Sequence, residues 1–512
     1  MMFRMAKPVF KQYSQHQASL LPPSLDELIE AHHPVRVVSE VIDQIDLKPL
    51  YAKYKGGGTS SFHPRMLLKV MVYSYLSNIY SSRKMETAIK ADIHLMWLSG
   101  MSRPDHNTLN RFRSERLKEV LKDIFVQIVH LLAEQGLISL KEQYVDGTKI
   151  EANANRYSFV WGNAIKTSKE KMKKQLDDLW QYAQQVAASE MDMPEPPPFE
   201  KADAEAIQQT IDKISNALKD KPVSGKVKQK LNYAKKKWPA ALDKYEKQEQ
   251  ILGERNSYSK TDTDATFMRM KEDHMQNGQL KPGYNLQISS NNQYITNYTL
   301  HQTTADTTTL EAHLNEHSRC YGQYPGKVIA DAGYGSEQNY QYMEDNDIEG
   351  FVKYNYFDKN QSSADLQKNP FRVDHLYYNQ DKDIYYCPMG QSMTNIGVYV
   401  KTSASGFKQK ITKYQAQNCE GCPLRAGCYK AKGNRVIEVN YNLIRLKAKA
   451  SENLLSEQGI AYRKKRCWDV EPVFANIKNN HGFRRFMLRG KEKVAIETGL
   501  LAIAHNLRKK AA

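Results

Sequence analysis

Short runs of alternating apolar and polar residues predict strands in the middle of the chain. Residues 143–150 alternate in this way and are rich in residues that favour strands, which predicts a strand with Asp146 on one face. A second apolar run, 327–330, stops at Asp331 and meets the glycine-rich sequence AGYG, as at the exit from a buried strand. Two such strands side by side would bring Asp146 and Asp331 together.

A β-hairpin and a helix are predicted between these two strands. Residues 284–289 and 294–300 alternate on either side of Asn291 and Asn292, as the two strands of a hairpin do. The sequence TLEAHLNEHSRC then predicts a helix that leads into the strand before Asp331. Periodicity alone permits several α/β arrangements of these elements.

Helical patterns occupy two long stretches. From about residue 24 to residue 140, three amphipathic or buried segments follow one another, MLLKVMVYSYL, METAIKADIHLMWLSGM and LKEVLKDIFVQIVHLLAEQGLI. Residues 167–254 are rich in Lys, Gln, Glu, Ala and Leu and predict a helical arm, with a stiff proline-rich linker at 191–198. The arm serves either as a spacer or in dimerisation or DNA clamping.

A third acidic residue lies at a predicted helix start near the end of the chain. Glu471 and Lys478 are seven residues apart with apolar residues between them, a helical spacing that puts acid and base on one face. Pro472 suits only the first turn of a helix, so Asp469 is the predicted N-cap. Glu471 would then lie near the helix start.

Together, Asp146, Asp331 and Glu471 suit two-metal phosphoryl chemistry. That chemistry needs carboxylates that hold two divalent cations ~3.5–4 Å apart. Taken singly, each residue has an ordinary alternative, because an Asp before a glycine-rich turn is commonly a turn former and a Glu on a basic helix is commonly a solvated ion partner. The three local settings favour a metal site only as a set.

Three segments of the sequence resemble the catalytic core of bacterial insertion-sequence transposases of the DDE type. They are YVDGTKIEANANR, VIADAGYGSEQNY and YRKKRCWDVEPVFANIKNNHGFRRFMLRG. The segments SSFHPRMLLKVMVYSYLSN and SRPDHNTLNRFRSERL resemble the helical region before this core, and TDTDATFMRMK and KPGYNLQIS resemble the part between the first two acids. The pattern departs from the wider superfamily at Cys467, where an Arg is expected four residues before the Glu; Tyr462 and Arg466 stand nearby.

The resemblance implies a fold, a chemistry and a set of partners. The fold is α/β, with an RNase H-like catalytic core, an all-α N-terminal domain, a helical arm and a small cysteine-containing insert. Asp146, Asp331 and Glu471 are the implied catalytic residues, which hold Mg²⁺ (or Mn²⁺) for DNA cleavage and strand transfer at the ends of an insertion sequence. The implied partners are the terminal inverted repeats and the target DNA, bound by a homodimer.

The predicted domains follow from these assignments. A helical domain that binds the transposon end covers residues 1–140. The core is divided into residues 141–156, 261–340 and 456–512, and the last part includes basic C-terminal helices. The helical arm covers residues 157–260, and the insert with the candidate zinc site covers residues 341–455.

Charge supports DNA as the partner. The 512 residues carry a net charge of +17, and a surplus of Lys and Arg is what binding to phosphate backbones requires. Residues 461–495 hold ten Lys or Arg against three Asp or Glu, a net charge of +7 beside the third acid. The predicted DNA-binding residues are Lys478, Arg466, Arg484, Arg485, Arg489, Arg111 and Arg113.

Two of these assignments have a plain alternative. Arg111 and Arg113 belong to residues 108–113, which predict either the start of a recognition helix or a solvated helix face. Trp468, beside the third acid, either stacks on an unpaired base or, as the simpler interpretation, packs inside the protein.

Four of the six cysteines are spaced like metal ligands. The pattern C-x31-C-x2-C-x5-C is formed by Cys387, Cys419, Cys422 and Cys428. Four thiolates can close a tetrahedral zinc site, which would hold together a small, polar, strand-rich insert. Reduced thiols without a metal are the alternative, and Cys320 and Cys467 are predicted to be packing residues.

The sequence lacks two features of exported and membrane proteins. No apolar segment follows the first residues as in a signal peptide, and no apolar run approaches the ~18 residues of a membrane span. The expected location is the cytoplasm. Two other functions stay open: a structure-specific nuclease of the same fold would cut DNA without joining it, and a non-catalytic DNA-binding protein would need the basic surface but not the acids.

Overall fold

The chain forms two compact units, which are described separately. The computed structural model describes residues 23–54, 60–186, 204–219, 221–270, 278–361, 370–403 and 405–512. The first unit comprises Met1–Arg116 and Leu507–Ala512, and the second comprises Leu117–Asn506. The predicted proline-rich linker at 191–198 lies outside the described residues.

The first unit is helical, as predicted. Its helices are Pro34–Gln44, Lys48–Tyr51, Pro64–Leu76, Ser82–Ile89, Ile93–Leu98 and His106–Arg111, followed by a π-helical turn at Phe112–Arg116. Pro64–Leu76 is buried along most of its length, which places it at the centre of the unit. Asp92 and Asp105 cap two of the helices by accepting hydrogen bonds from backbone N–H groups of the first turn.

A mixed sheet forms the centre of the second unit. The strands up to residue 352 are β1 (Glu142–Glu151), β2 (Phe159–Trp161), β3 (Ser257–Ser259), β4 (Thr266–Arg269), β5 (Leu280–Asn291), β6 (Tyr294–His301), β7 (Lys327–Ala330) and β8 (Glu349–Val352). The order across the sheet is β8–β7–β1–β5, and the far edge of β5 pairs with β4 and β6. β1 is antiparallel to β5 and parallel to β7, so it lies in the middle of the sheet.

The predicted hairpin is confirmed as β5 and β6. Its turn residues are Asn292 and Gln293, with φ angles of 51° and 66°, a pair of left-handed conformations that matches the twist of a tight hairpin. The turn therefore lies one residue later than the predicted Asn291 and Asn292.

Helices pack on both faces of this sheet. They are Leu121–Glu134, Leu310–Tyr321, Glu337–Asp345, Tyr441–Leu455, Glu457–Asp469, Glu471–Ala475 and Lys491–Ala511. Leu310–Tyr321 covers one face, where His313 Nε2 lies 2.7 Å from Ser289 Oγ. Glu457–Asp469 covers the other, where the Tyr462 ring meets that of Tyr144. Because side chains alternate along a strand, Asp146 shares the second face with Tyr144.

The predicted helical arm is confirmed as helical. Its helices are Gly162–Val186, Ala204–Ala217 and Gly225–Leu252. They share their own apolar core, which includes Leu179, Trp180, Ile211 and Trp238. The short strands β2 and β3 pair at the base of the arm, where the chain leaves and re-enters the main sheet.

The cysteine-containing insert is a separate antiparallel sheet. Its strands are β9 (Tyr377–Asn379), β10 (Ile384–Tyr386), β11 (Ser392–Thr402), β12 (Lys408–Ala416) and β13 (Val436–Val439), in the order β13–β12–β11–β10–β9. The predicted insert of 341–455 also contained β8 and the helix Tyr441–Leu455. These two elements join the main sheet and its core, so the separate sheet is shorter than that range.

Candidate active site

The register of two parallel strands places Asp146 beside Asp331. Val145 in β1 is the partner of Ala330, the last residue of β7. The residue that follows each of them is an Asp, namely Asp146 and Asp331. Neighbouring strands lie about 4.8 Å apart. The sheet therefore brings together two carboxylates that are 185 residues apart in the sequence, as the sequence predicted.

Asp146 is mostly buried and lies beside an arginine. Its side chain is 13% exposed, and its Oδ2 lies 3.7 Å from Nη1 of Arg466 on the covering helix. Its Oδ1 accepts a hydrogen bond of 2.7 Å from the backbone N–H of Gly147. Arg466, predicted to bind DNA, thus lies against the first acid.

Asp331 caps the turn that follows β7. It precedes the 3₁₀ turn Ala332–Tyr334, and its Oδ1 accepts a hydrogen bond of 2.8 Å from the N–H of Gly333. The side chain is half-buried, so it is accessible beside Asp146. The turn-former interpretation and the catalytic interpretation of this residue are therefore compatible.

Glu471 begins the helix Glu471–Ala475, with Pro472 in the first turn as predicted. Its side chain is exposed. It follows Arg466 by five residues, on the next helix of the chain. Glu471 therefore lies directly after the helix whose Arg466 contacts Asp146.

The predicted N-cap at Asp469 is wrong. Asp469 is the last residue of the preceding helix, Glu457–Asp469, and is 2% exposed. Its carboxylate accepts hydrogen bonds from Ser290 Oγ (2.8 Å) and from the backbone N–H groups of Asn292 (2.9 Å) and Gln293 (3.0 Å). Because these partners form the β5–β6 turn, Asp469 fastens the acid-bearing helices to the sheet.

Other side chains near the third acid differ from expectation. Trp468 is 75% exposed, so the packing interpretation is wrong and its indole faces solvent. Cys467, predicted to pack, is also exposed. Tyr462 is buried, and its hydroxyl donates to Glu142 Oε1 at 2.6 Å, which gives it a place in the core. Lys478 lies buried in the π-helical turn Asn476–Asn480.

Sequence reasoning missed a further carboxylate, Asp306, which lies near Tyr334 on the face of the sheet opposite Asp146. Burial raises the pKa of Tyr334 well above its usual value, and the charges of Asp146, Asp306 and Asp331 raise it further while Arg466 opposes them. Asp306 starts the short turn after β6. Its only sequence signal is an Asp among threonines directly after the hairpin, which is equally typical of an ordinary turn.

Two families match the sequence, one near each end. The family described as Transposase DDE domain matches residues 386–511, which include Glu471 and Lys478. The family described as Transposase domain (DUF772) matches residues 23–115, within the helical first unit. These two matches support an insertion-sequence DDE transposase. A comparison with curated proteins gives no match.

Both matched families are transposase families, and they indicate the general kind of activity. Transposases act on DNA, and DDE transposases depend on divalent metal ions. Asp146 and Asp331 lie outside both matched segments, so their assignment depends on the sheet geometry. In the described part of the chain, no helix is long and apolar enough to cross a membrane.

The oxygen donors of the two aspartates suit a hard divalent cation. Carboxylate oxygens are the ligands that Mg²⁺ and Mn²⁺ prefer, and Asp146 and Asp331 are adjacent. Across the described ranges, no group of three or more His, Cys, Asp or Glu side chains is arranged to hold a metal ion. Asp146 and Asp331 therefore suit a divalent metal by their donor type and by their placement on adjacent strands. Glu471, which is exposed, would be the third ligand.

One predicted DNA contact in the first unit is a structural residue. Arg113 is 3% exposed, and its Nη1 donates to Tyr75 Oη (3.0 Å) and to the carbonyl of Tyr80 (2.7 Å). The π-helical turn rotates this side chain into the core, so its DNA-binding assignment is wrong. Arg111, at the end of the preceding helix, is exposed.

A basic groove of about 700 Å³ lies where β1 ends. It is lined by Ala154, Asn155, Arg156, Tyr157, Thr261, Arg485 and Arg489. Arg485 donates to the carbonyls of Ala152 (3.1 Å) and Ala154 (2.9 Å), and Arg489 donates to that of Asn153 (2.8 Å). These arginines therefore also shape the groove. Arg484 is exposed.

The four clustered cysteines line one cavity in the insert. It has a volume of about 20 Å³ and is also lined by Arg435. Arg435 donates from its backbone N–H to Cys419 Sγ (3.3 Å) and from Nη1 to Cys428 Sγ (3.0 Å). The predicted grouping of these residues is thus present in the fold.

Proposed function

We propose that this transposase cleaves DNA at the ends of its insertion sequence and transfers the freed strand, using Asp146, Asp331 and Glu471 as the metal-binding acids of an RNase H-like core. The single observation that carries the proposal is the β1–β7 register, which places Asp146 next to Asp331. The strand order, with antiparallel β5 and β6 on one side of β1 and parallel β7 and β8 on the other, supports this fold.

The chain's own residues would orient the reacting groups. A divalent metal pair, when bound, supplies an activated water and charge stabilisation at the scissile phosphate. Asp146 extends from the central strand and Asp331 from a capped turn, so both carboxylates are held by rigid elements. Arg466 presents a guanidinium beside Asp146, where it can exchange its partner for a phosphate oxygen without losing charge.

The reaction itself provides the test of this function. The purified chain is incubated with Mg²⁺ and linear DNA that carries the two sequences flanking its coding region. We expect strand breaks at those two ends and, with a target plasmid, joined products. Breaks without joined products would identify a structure-specific nuclease. Binding without breaks would identify a non-catalytic DNA-binding protein.

Salt dependence tests whether DNA runs beside the third acid. We expect Arg484→Ala to reduce the slope of log K against log salt by about 0.9, because one fewer phosphate is neutralised. Arg485 is a poor choice for this test because its guanidinium also supports two backbone carbonyls. The slope is measured by fluorescence anisotropy with a labelled transposon end.

An exposed lysine in the insert serves as the control for this measurement. Lys382→Ala removes the same charge from the separate sheet and should leave the slope unchanged. Equal slopes for Arg484→Ala and the native protein would place the DNA elsewhere, with the helical first unit as the next candidate.

We propose further that the four cysteines bind a structural zinc ion. A cavity of about 20 Å³ holds one small ion, and Arg435 donates N–H groups to two of the four sulfur atoms that line it. The apolar core of this sheet is small, formed mainly by Leu376, Tyr385, Met393, Tyr414, Ala416, Ile437 and Val439. Small sheets of this kind commonly need a metal to stay folded.

Zinc content tests this second proposal. We expect about one zinc per chain in protein purified under reducing conditions. Cys419→Ser with Cys422→Ser should remove the zinc and expose residues 377–439 to proteolysis, while end binding persists. Cys320→Ser with Cys467→Ser is the matched control and should retain the metal. Native protein without zinc would leave the cysteines as reduced thiols.

A further inference from the structure

A buried polar network lies beneath the two aspartates, on the face of the sheet opposite Asp146. Gln287 in β5 is the direct partner of Gly147 in β1, so its side chain lies under the residue after the first acid. Gln287 is fully buried, as is Tyr334 in the turn after Asp331. A buried polar group is costly unless it is hydrogen-bonded, so this network needs a physical reason.

Each group of Gln287 has a partner. Its Nε2 donates to Asp306 Oδ1 at 3.0 Å, and its Oε1 accepts from the hydroxyl of Tyr334. The same Asp306 oxygen accepts from Asn285 Nδ2 at 2.7 Å. The raised pKa of Tyr334 keeps that hydroxyl protonated, so it remains a donor. The network therefore runs from the turn that starts at Asp306, through β5, to the turn that carries Asp331.

A second set of bonds joins the same two turns directly. Thr307 Oγ1 donates to the carbonyl of Gly333 at 2.8 Å. Asn339 Nδ2 donates to the carbonyls of both Thr307 and Tyr334, each at 2.8 Å. Gly333 also donates its N–H to Asp331. The position of Asp331 therefore depends on the hydrogen bonds between the two turns.

Gly147 shows how closely the network approaches the first acid. A Cβ at this position would lie 2.2 Å from Gln287 Nε2 and 2.9 Å from Asp306 Oδ1. These contacts are too short, so a side chain at this position would displace the Gln287 amide and disturb the network. The network thus fits against β1 on one side and against the Asp331 turn on the other.

We propose that Asp306, Thr307, Gln287 and Tyr334 are positioning residues, which hold the Asp331 turn at the distance from Asp146 that metal binding requires. This inference rests on the proposed function. Asp306 acts through its hydrogen bonds and not as a metal ligand, because its bonded oxygen faces Gln287 on the side of the sheet away from the Asp146 carboxylate.

Paired variants separate hydrogen bonding from charge. Thr307 is exposed, so Thr307→Val removes its hydrogen bond to the Gly333 carbonyl without unfolding the protein. Thr307→Ser keeps the hydroxyl and is its control. Asp306→Asn keeps an oxygen that can accept both amide bonds, whereas Asp306→Ala does not. Tyr334→Phe removes a single donor. The readouts are Mn²⁺ binding by electron paramagnetic resonance without DNA, the metal dependence of cleavage, and amide hydrogen exchange of residues 331–339 without metal.

We expect Thr307→Val, Asp306→Ala and Tyr334→Phe to weaken Mn²⁺ binding roughly 10-fold and to speed exchange in residues 331–339. Thr307→Ser and Asp306→Asn should stay within about 3-fold of the native protein. Equal losses in Asp306→Asn and Asp306→Ala would overturn the inference, because Asp306 would then act by charge. Native exchange and Mn²⁺ affinity in Thr307→Val and Tyr334→Phe would also overturn it.

The outcome is distinguishable from failure of the proposed function. If the native protein neither binds Mn²⁺ nor cleaves DNA, the proposed function fails. Faster amide hydrogen exchange of residues 331–339 in Thr307→Val would still show that these hydrogen bonds hold the Asp331 turn. If the native protein cleaves DNA and the variants match it in all three readouts, only the positioning inference fails.

Discussion

Asp146→Asn, Asp331→Asn and Glu471→Gln each reduce Mg²⁺-dependent cleavage of transposon ends by roughly 10³-fold or more, while end binding stays within a few-fold of native. The expected loss is large because residues that act as a unit in catalysis are not replaced by their neighbours. These substitutions preserve shape, so the sheet and the helix start should persist. Cleavage is measured on labelled DNA ends, and binding by anisotropy with Ca²⁺ in place of Mg²⁺.

Glu452→Gln provides the matched control for these three variants. It removes the charge of an exposed carboxylate on the helix Tyr441–Leu455, outside the proposed site. It should cleave as the native protein does. A near-native rate in any one of the three acid variants would remove that residue from the metal-binding set, and the β1–β7 pairing would then need another explanation.

Asp469→Ala should destabilise the second unit by about 2–4 kcal/mol and reduce cleavage. The substitution leaves the buried hydroxyl of Ser290 and two backbone N–H groups of the β5–β6 turn without their carboxylate partner. It also releases the segment that carries Arg466 and Glu471 from the sheet. Stability is measured by urea unfolding, and cleavage at a temperature where the variant is still folded.

Trp468→Ala is the neighbouring control for Asp469→Ala. Trp468 is 75% exposed, so its removal should change the free energy of unfolding by less than about 0.5 kcal/mol. Native stability and native cleavage in Asp469→Ala would contradict the view that this carboxylate fastens the acid-bearing helices to the hairpin.

Local patterns were sufficient for the elements that carry the acids. The strand around Asp146 and the run that ends at Asp331 depend on alternation and on a glycine-rich exit, which are properties of neighbouring residues. The same reasoning failed at Asp469. An Asp followed by a proline three residues on is typical of a helix start, yet here one helix ends at this residue and the next begins two residues later.

Local sequence patterns could not predict which side chains are buried or which residues from distant parts of the chain are in contact. Two side chains differ from expectation in their burial. Arg113, predicted to contact DNA, is buried, and Trp468, for which packing was the simpler interpretation, is exposed. A charged side chain in a helical run is normally solvated, and only the π-helical turn and two tyrosines explain why Arg113 is not. Asp306 is likewise held by hydrogen bonds from another element, since Asn285 and Gln287 of β5 both donate to its carboxylate.

The sequence by itself predicted the three candidate acids, the helical character of the first unit and the arm, and the grouping of four cysteines, because each of these predictions depends on spacing along the chain. Only the tertiary structure decided which side chains surround the acids. The pairing of Val145 with Ala330, the approach of Arg466 to Asp146 and the network under Gly147 each join residues more than a hundred positions apart. Strand register and helix docking set these contacts, and no local periodicity encodes them.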